Sequence, residues 1–387
     1  MKVLHTSDWH IGKRLLGRER LPEQREALGE IASVCDKEAV DLVLVAGDVF
    51  DTYLPSAEAE DLFYEKIKEI AGENRAVLVI SGNHDDNVRL AAATSLCEPQ
   101  GIYIYGNYGY VPKMGGDRRV SVAEAGTNHI VFAKGEEKVY CNVLPYPNET
   151  RLKEDKNQNE SFFDKMGRWI AAGQESNKEG YPSVFLSHLF IAGGKVSEGE
   201  REIDLGGARA VPLSLLPSCD YAALGHLHRR QHFKNNVRYS GSILQYAFDE
   251  AGAEKSVVVF DIGKEGVSGL HEVPLRSGRQ LVRLQARGVG EAEALLRRYE
   301  NCFAELTIYL SEPLSSAQVK QLKEANEGLL SIVPEIGGGE FALQQGSRKQ
   351  LSSLELFSEF YKSRYSEAPS DELKELFMSA TEEAHET

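Results

Sequence analysis

Five short apolar runs in this 387-residue chain each end in residues able to hold a metal ion. Lys2 to Thr6 runs into Ser-Asp-Trp-His at 7 to 10. Leu42 to Ala46 ends at Gly47-Asp48-Val49-Phe50-Asp51, and Ala76 to Ile80 at Ser81-Gly82-Asn83-His84-Asp85. Later, Val184 to Leu186 ends at Ser187-His188, and Tyr221 to Leu224 at Gly225-His226-Leu227-His228. The first three runs are separated by helical periodicity. Pro22 opens one stretch with Leu28, Ile31, Ala32 and Cys35 at i, i+3, i+4 and i+7; Ala59, Leu62, Phe63, Ile67 and Ile70 mark the other. A continuous apolar run such as Leu42 to Ala46 is the pattern of a strand buried on both faces. This β-α-β-α-β order predicts parallel strands with right-handed crossovers. The polar clusters then share the carboxyl edge of the sheet, where open α/β folds place their sites. If the backbone stays extended past Thr6, Asp8 and His10 point the same way, because strand side chains alternate.

Gathered together, the strand-end residues are Asp8, His10, Asp48, Asn83, His84, His188, His226 and His228. A set of imidazoles, carboxylates and an amide, without cysteine, suits manganese, iron or zinc, and its oxygen share leans toward harder ions. Six to eight ligands exceed the needs of one catalytic zinc, so two ions sharing Asp48 is the economical arrangement. Two ions ~3.5–4 Å apart activate water and stabilise both ends of an in-line displacement at phosphorus. His84, next to Asn83, is better used as an unligated imidazole that protonates the leaving oxygen or stabilises its charge. Asp85 is placed to orient it. Taken singly, each motif has a plainer reading: G-D-x-x-D as a helix cap, G-N-H-D as a tight turn, His188 as a satisfied histidine. Their shared position at strand ends is what the plain readings leave unexplained.

The remainder of the chain bounds the answer. Hydrophobic residues at 42% and charged residues at 27% describe a globular protein long enough for two or more domains. The formal charge of −15 argues against a sequence-independent nucleic-acid coat but leaves nucleic acid open as substrate. Five scattered cysteines, none in C-x-x-C spacing, fit reduced thiols and, with no leader or membrane-length apolar run, a cytoplasmic protein. Strand-like pieces at 102–105, 130–133 and 139–144 and a helix over 162–172 continue the fold, and strands at 237–239 and 256–261 close it. From about residue 276 the pattern becomes a separate small β-α-β-α-β unit running to 336. A glycine-rich link over 337–350 precedes a helical tail over 351–387, which carries the stripe Leu351, Leu354, Phe357, Phe360 and Tyr361. Arg14, Arg18 and Arg20 follow the first motif, and Arg229 and Arg230 follow the last, beside the expected metals where a phosphodiester backbone would lie.

The order D-x-H, G-D-x-x-D, G-N-H-D, H, G-H-x-H over residues 8 to 228 resembles the calcineurin-like metallophosphoesterase family. Within it the chain looks like the DNA nucleases, through Thr-Ser-Asp-Trp-His-Ile-Gly at 6–12, Ser-His-Leu-Phe-Ile-Ala-Gly-Gly at 187–194 and Tyr-Ser-Gly-Ser at 239–242. The resemblance implies an α/β fold: a sandwich of mixed β-sheets flanked by helices over 1–275, a small α/β capping domain over 276–336, a linker and a helical tail. It implies one manganese on Asp8, His10, Asp48 and His228, a second on Asp48, Asn83, His188 and His226, and His84 as the catalytic histidine. Magnesium, iron or zinc would fit the same ligands. It further implies a duplex exonuclease and single-strand endonuclease serving DNA repair and recombination. By the same resemblance an SMC-like ATPase partner would be gripped by the tail, and a homodimer would form through the helix at Ala57 to Ala71 and the segment Val88 to Leu96. Archaeal and eukaryotic relatives carry histidine where this chain has Asp51, so no role passes to that position; Ile243 replaces a usual proline. The rivals are a small-molecule phosphoesterase of the same fold, which would lack the roughly 110 residues after 276, and a non-catalytic scaffold, which would have lost ligands.

Overall fold

A computed structural model describes residues 1–106, 108–148, 161–198, 200 and 210–337, together with 361, 369, 370, 373 and 374. The chain divides into a unit of residues 1–337 and a second of residues 338–387. All of the expected linker but Gly337, and all of the tail stripe but Tyr361, lie outside the described residues.

In chain order the first half runs β1 (Lys2–Thr6), α1 (Leu21–Lys37), β2 (Leu42–Ala46), α2 (Ala57–Ala71), β3 (Ala76–Ile80), two single-turn helices α3 (Asn87–Leu90) and α4 (Thr94–Cys97), and β4 (Ile102–Tyr105). Strands β1 to β4 pair in parallel and in sequence order, as the βαβ pattern predicts. Next come β5 (Ser121–Ala125), β6 (His129–Lys134), β7 (Glu137–Leu144), α5 (Phe162–Glu175), β8 (Ser183–His188), β9 (Tyr221–Gly225), β10 (Gln231–His232), β11 (Val237–Tyr239), β12 (Lys255–Gly263) and β13 (Gly266–Leu275). They complete two mixed sheets, one of six strands in the order β13-β12-β1-β2-β3-β4 and one of seven in the order β10-β11-β9-β8-β7-β6-β5.

The two sheets lie face to face. Val3, Leu42, Leu44, Leu78 and Ile80 of the first meet Val143, Val184, Leu186 and Ala223 of the second in one buried cluster. On its outer face the six-stranded sheet packs Leu4, Val43 and Val45 against Leu28 and Ile31 of α1 and Leu62 and Phe63 of α2. The other sheet packs Phe185 and Leu224 against Met166 and Ile170 of α5. Strands buried on both faces explain why β2, β3 and β9 read as unbroken apolar runs rather than alternations.

A third sheet of three parallel strands, β14 (Leu281–Arg287), β15 (Phe303–Leu310) and β16 (Leu329–Ile336), carries α6 (Gly288–Arg298) and α7 (Ser316–Ala325) over its own apolar cluster. It is joined to the larger part through Glu30 of α1, whose carboxylate accepts the amides of Arg276 and Ser277, and through Gln245, which accepts the Leu281 amide at 2.6 Å. No helix among the described residues is long and apolar enough to cross a membrane.

Two expectations need correction here. The backbone is not extended after β1: Asp8 and His10 have φ of 52° and 44°, so alternation along a strand does not aim them. Their amides instead bond to the carbonyls of Gly47 and Asp48, which ties the first motif to the second. The second correction concerns α2, whose Leu62, Phe63, Ile67 and Ile70 are consumed by the core of the monomer. Exposed apolar side chains just before that helix and in the segment after β3 include Tyr53, Leu54, Val88 and Leu96.

Candidate metal centre

The carboxyl ends of β1, β2 and β3 in one sheet and of β8 and β9 in the other open onto the same place. Gly47 has φ of 84°, and a Cβ there would lie 2.6 Å from His188 Nδ1, so the turn after β2 requires glycine. Gly47 lets the chain turn so that Asp48 enters the space between the sheets. Asp48 Oδ2 lies 3.5 Å from His10 Nε2 and 3.4 Å from His188 Nε2, between one imidazole of each sheet. Its Oδ1 accepts the His84 amide at 2.9 Å. On one side of Asp48, the Nε2 atoms of His10 and His228 approach to 3.0 Å. Asp8 stands with them, its Oδ1 accepting the His226 amide at 2.9 Å and its Oδ2 the Ser7 hydroxyl at 2.5 Å. On the other side, Asn83 Oδ1 lies 2.8 Å from His188 Nε2 and 3.0 Å from His226 Nδ1. Every one of these side chains is buried.

The backbone is strained where it matters. Asp8, His10, Asp48 and His226 are four of the eight described non-glycine residues with positive φ. Such conformations cost on the order of 1 kcal/mol or more each and persist where surrounding contacts enforce them.

The electrostatics are those of a site built for cations. Burial pushes His10 and His226 down to about 3, which keeps both rings neutral with a lone pair to offer. Burial also opposes charge on His188, but the carboxylates of Asp48 and Asp8 outweigh it and carry the ring up to about 9. Asp48 is buried yet held well below the usual carboxylate range by His188, His84 and His10. Burial pushes Asp8 the other way, upward.

The residues fit divalent ions. The ligand atoms of Asp8, His10 and His228 lie within 4.8 Å of one another, as do those of Asp8, Asp48 and His188. The Nε2 atoms of His10 and His228 meet at 3.0 Å, close enough for one cation to be shared by both rings once each turns a lone pair toward it. Asn83 Nδ2 and His226 Nε2 are buried without a hydrogen-bond partner.

His84 falls within the same distance of His10 and Asp48, so proximity alone does not separate it from the ligands. Its Nδ1–H donates to the Asp51 carbonyl at 2.7 Å, which fixes the tautomer. The carboxylate of Asp85, which the sequence suggested as the group orienting His84, accepts the amides of Gly82, Val49 and Phe50. It therefore shapes the loops carrying Asp48 and His84, and the backbone of Asp51 holds the ring.

The basic residues are less uniform than their clustering suggested. Arg20 is buried, bonds the Gln245 carbonyl at 3.0 Å, and lies over the Phe303 ring at 5.1 Å. It is a joint between the large and small parts of the unit and cannot reach DNA. Arg14 pairs with Glu19, Arg18 reaches the Glu327 carbonyl, Arg229 bonds Ser197 and Asp249, and Arg230 pairs with Glu254 and Glu272.

Sequence reasoning missed the groups behind the ligands. Asp51 Oδ1 lies 3.4 Å from His10 Nδ1, and Glu250 Oε1 lies 3.4 Å from His228 Nδ1. Glu200 accepts the His228 amide at 2.7 Å, and burial pushes its carboxyl up to about 7. Nothing in spacing marks Glu250 or Glu200. The Tyr-Ser-Gly-Ser segment was a usable signal, since Ser240 meets Ser7 at 2.8 Å and Ser242 accepts from Lys255.

Residues 1–230 match the profile of the calcineurin-like phosphoesterases. The chain is 34% identical over 394 residues to the SbcD component of the SbcCD nuclease of Bacillus subtilis strain 168, covering 98% of this chain and 97% of that one. It is 31% identical over 283 residues to the protein of the same name from Staphylococcus epidermidis, covering 73% and 71%. A solved dimetal phosphatase from Danio rerio matches with a TM-score of 0.40 and 14% identity over 72% of this chain and 99% of that chain, a likeness too slight to carry weight.

Proposed function

This chain belongs to the calcineurin-like phosphoesterase family, and from that premise we propose that it is a manganese-dependent DNA nuclease with a two-metal site. In coarser terms it is a metal-dependent hydrolase of phosphodiester bonds. We read its substrates as duplex ends, cut as an exonuclease, and single strands, cut as an endonuclease, in DNA repair and recombination. The observation that carries the reading is the convergence of Asp8, His10, Asp48, Asn83, His188, His226 and His228, with Asp48 Oδ2 between the imidazoles of the two halves.

One ion is assigned to Asp8, His10, Asp48 and His228, the other to Asp48, Asn83, His188 and His226. When bound, divalent ions supply Lewis-acid activation of water and neutralise charge at phosphorus. The chain's own part is to hold the ligands rigidly at strand ends, to exclude bulk water by burial, and to present His84. With Nδ1–H committed to Asp51, Nε2 is the exchanging nitrogen of His84: as the imidazolium it would give its proton to the leaving oxygen while water adds to phosphorus and the P–O bond breaks, returning to the neutral Nδ1–H ring. Exposed Arg14 and Arg18, with Arg229 and Arg230, are assigned to the DNA backbone.

The 276–336 part is proposed as a capping domain over the nuclease. The 351–387 tail is assigned to a partner of the SbcC type, an SMC-like ATPase, following the name of the relatives. A homodimer is assigned to the exposed Leu54, Val88 and Leu96. The described cysteines carry free thiols, which suits the reducing cytoplasm.

The test is direct: incubate the purified chain with manganese, with duplex and single-stranded DNA and with a chromogenic phosphodiester. Cleavage of DNA that chelation stops and manganese restores is expected. Turnover of the small ester without DNA cleavage would reject the nuclease reading in favour of a small-molecule phosphoesterase.

A further inference from the structure

The imidazoles of the two half-sites are backed differently. For His10 and His228 to turn Nε2 lone pairs toward one ion, each must carry its proton on Nδ1, on the outer side of the ring. Both outer nitrogens are buried, and neither has a well-formed hydrogen bond. What each one meets is a carboxylate oxygen at 3.4 Å: Asp51 for His10 and Glu250 for His228. That separation is long for a hydrogen bond but short enough for a small ring rotation to close.

The two carboxylates come from unrelated places, the turn after β2 and the single turn at Phe248–Glu250. Both nevertheless have a lysine behind them. Lys13 Nζ bonds Asp51 Oδ1 at 2.8 Å. Lys255 bonds Glu250 and also, at 2.8 Å each, the His228 carbonyl and the Ser242 hydroxyl. Glu250 is wholly buried and Lys255 nearly so. Burying such a pair is expensive in desolvation and adds little stability over apolar packing. Its place against a ligand histidine is therefore what needs explaining.

Among the described residues the other half-site lacks this arrangement. His188 Nδ1 donates to a neutral carbonyl, that of Ala46, at 2.8 Å. The outer nitrogen of His226, Nε2, is buried with no hydrogen-bond partner. A carboxylate behind a ligand imidazole fixes its tautomer and raises its basicity; a carbonyl fixes the tautomer with less gain in basicity.

We propose that Asp51 and Glu250 are positioning residues that set His10 and His228 for one of the two ions, making that half-site the tighter. The inference rests on the two-ion reading above and goes beyond it by naming which ion is anchored, and by what. The competing view is that the Glu250–Lys255 pair merely braces the loop that carries it.

Manganese titrated into the full chain, followed by calorimetry and by electron paramagnetic resonance, separates these views without any activity measurement. Wild type is expected to bind two ions of unequal affinity and to show the spectrum of a coupled pair. Asp51→Ala, at a partly exposed position, is expected to fold with an unchanged thermal midpoint. It should weaken one ion by roughly 10–100-fold, leave the other unmoved, and convert the coupled spectrum to that of an isolated ion at matched loading. Asp51→Asn, which keeps an acceptor oxygen, should recover part of that loss. Glu250→Gln should weaken the same single ion. A folded Asp51→Ala chain that holds both ions at wild-type affinity would overturn the inference while leaving the two-ion reading intact. A wild-type chain that binds fewer than two ions would overturn the reading itself, and the inference with it.

Discussion

The Nδ1–H of His188 donates to the carbonyl oxygen of Ala46 at 2.8 Å. Ala46 is the last residue of β2 and His188 the last of β8, so this one bond fastens the edges of the two sheets where the ligands gather. It also orients His188, whose Nε2 then faces Asp48 and Asn83.

Gly225 lies against that bond, and a Cβ there would collide with the Ala46 carbonyl and approach His188 Nδ1 to 2.8 Å. Gly225→Ala is therefore expected to cost roughly 1–3 kcal/mol of stability, as overpacking does. It should also weaken metal binding beyond what the stability loss explains. Thermal unfolding and manganese titration of the same preparation check both.

Asp48→Ala should lose both ions and all activity together, because its Oδ2 serves both halves. Elemental analysis after gel filtration is the measurement. Retention of one tightly bound ion would show that Asp48 belongs to a single half-site.

His84→Ala should keep both ions and lower kcat by about 10²–10⁴-fold, the usual worth of a positioned proton donor, with little change in KM. Loss of an ion in this variant would make His84 a ligand.

His5 sets a pH dependence away from the ligands. It is buried beside Tyr221, whose hydroxyl lies 3.0 Å from Nδ1, and burial lowers it to about 3. Its folded value is depressed, so between about 6.5 and 3 the unfolded chain binds the proton and the folded chain does not. The stabilisation is whole above 6.5 and is lost as pH falls through that window, with a slope of up to ~1.4 kcal/mol per pH unit. Urea titrations of the metal-free chain at pH 7 and pH 5 should show the loss. His5→Leu should flatten the slope while lowering stability overall, since Tyr221 loses its partner.

Deleting residues 351–387 should spare manganese-dependent cleavage of short single-stranded DNA and abolish stable association with an SbcC-type ATPase. ATP-dependent duplex degradation should go with it. Undiminished co-purification of the truncated chain would refute the assignment of the tail.

Much of this was written locally. β2 and β3 announce themselves because strands buried on both faces are apolar throughout, and the ligands are visible because polar residues follow each run at once. What local pattern could not supply was β5 and β13. The burial of β5 is irregular, and β13 sits at the edge of the sheet with a single buried residue, Leu275, so neither carries a clear period.

Which side chains could bind metal, and that they would stand at strand ends, was legible in local pattern, since periodicity and turn residues are properties of neighbours along the chain. How they meet depends on packing between distant segments. His10 and His228 are 218 positions apart, and their contact exists because two sheets stack with the same edge open. The same packing buried Arg20 under the small sheet and aimed Asp8 and His10 through a left-handed turn instead of a strand. It also brought Glu250 behind His228. Each of these is settled by groups distant in sequence competing for one buried space, where an unpaired charge or an empty volume is too costly to leave.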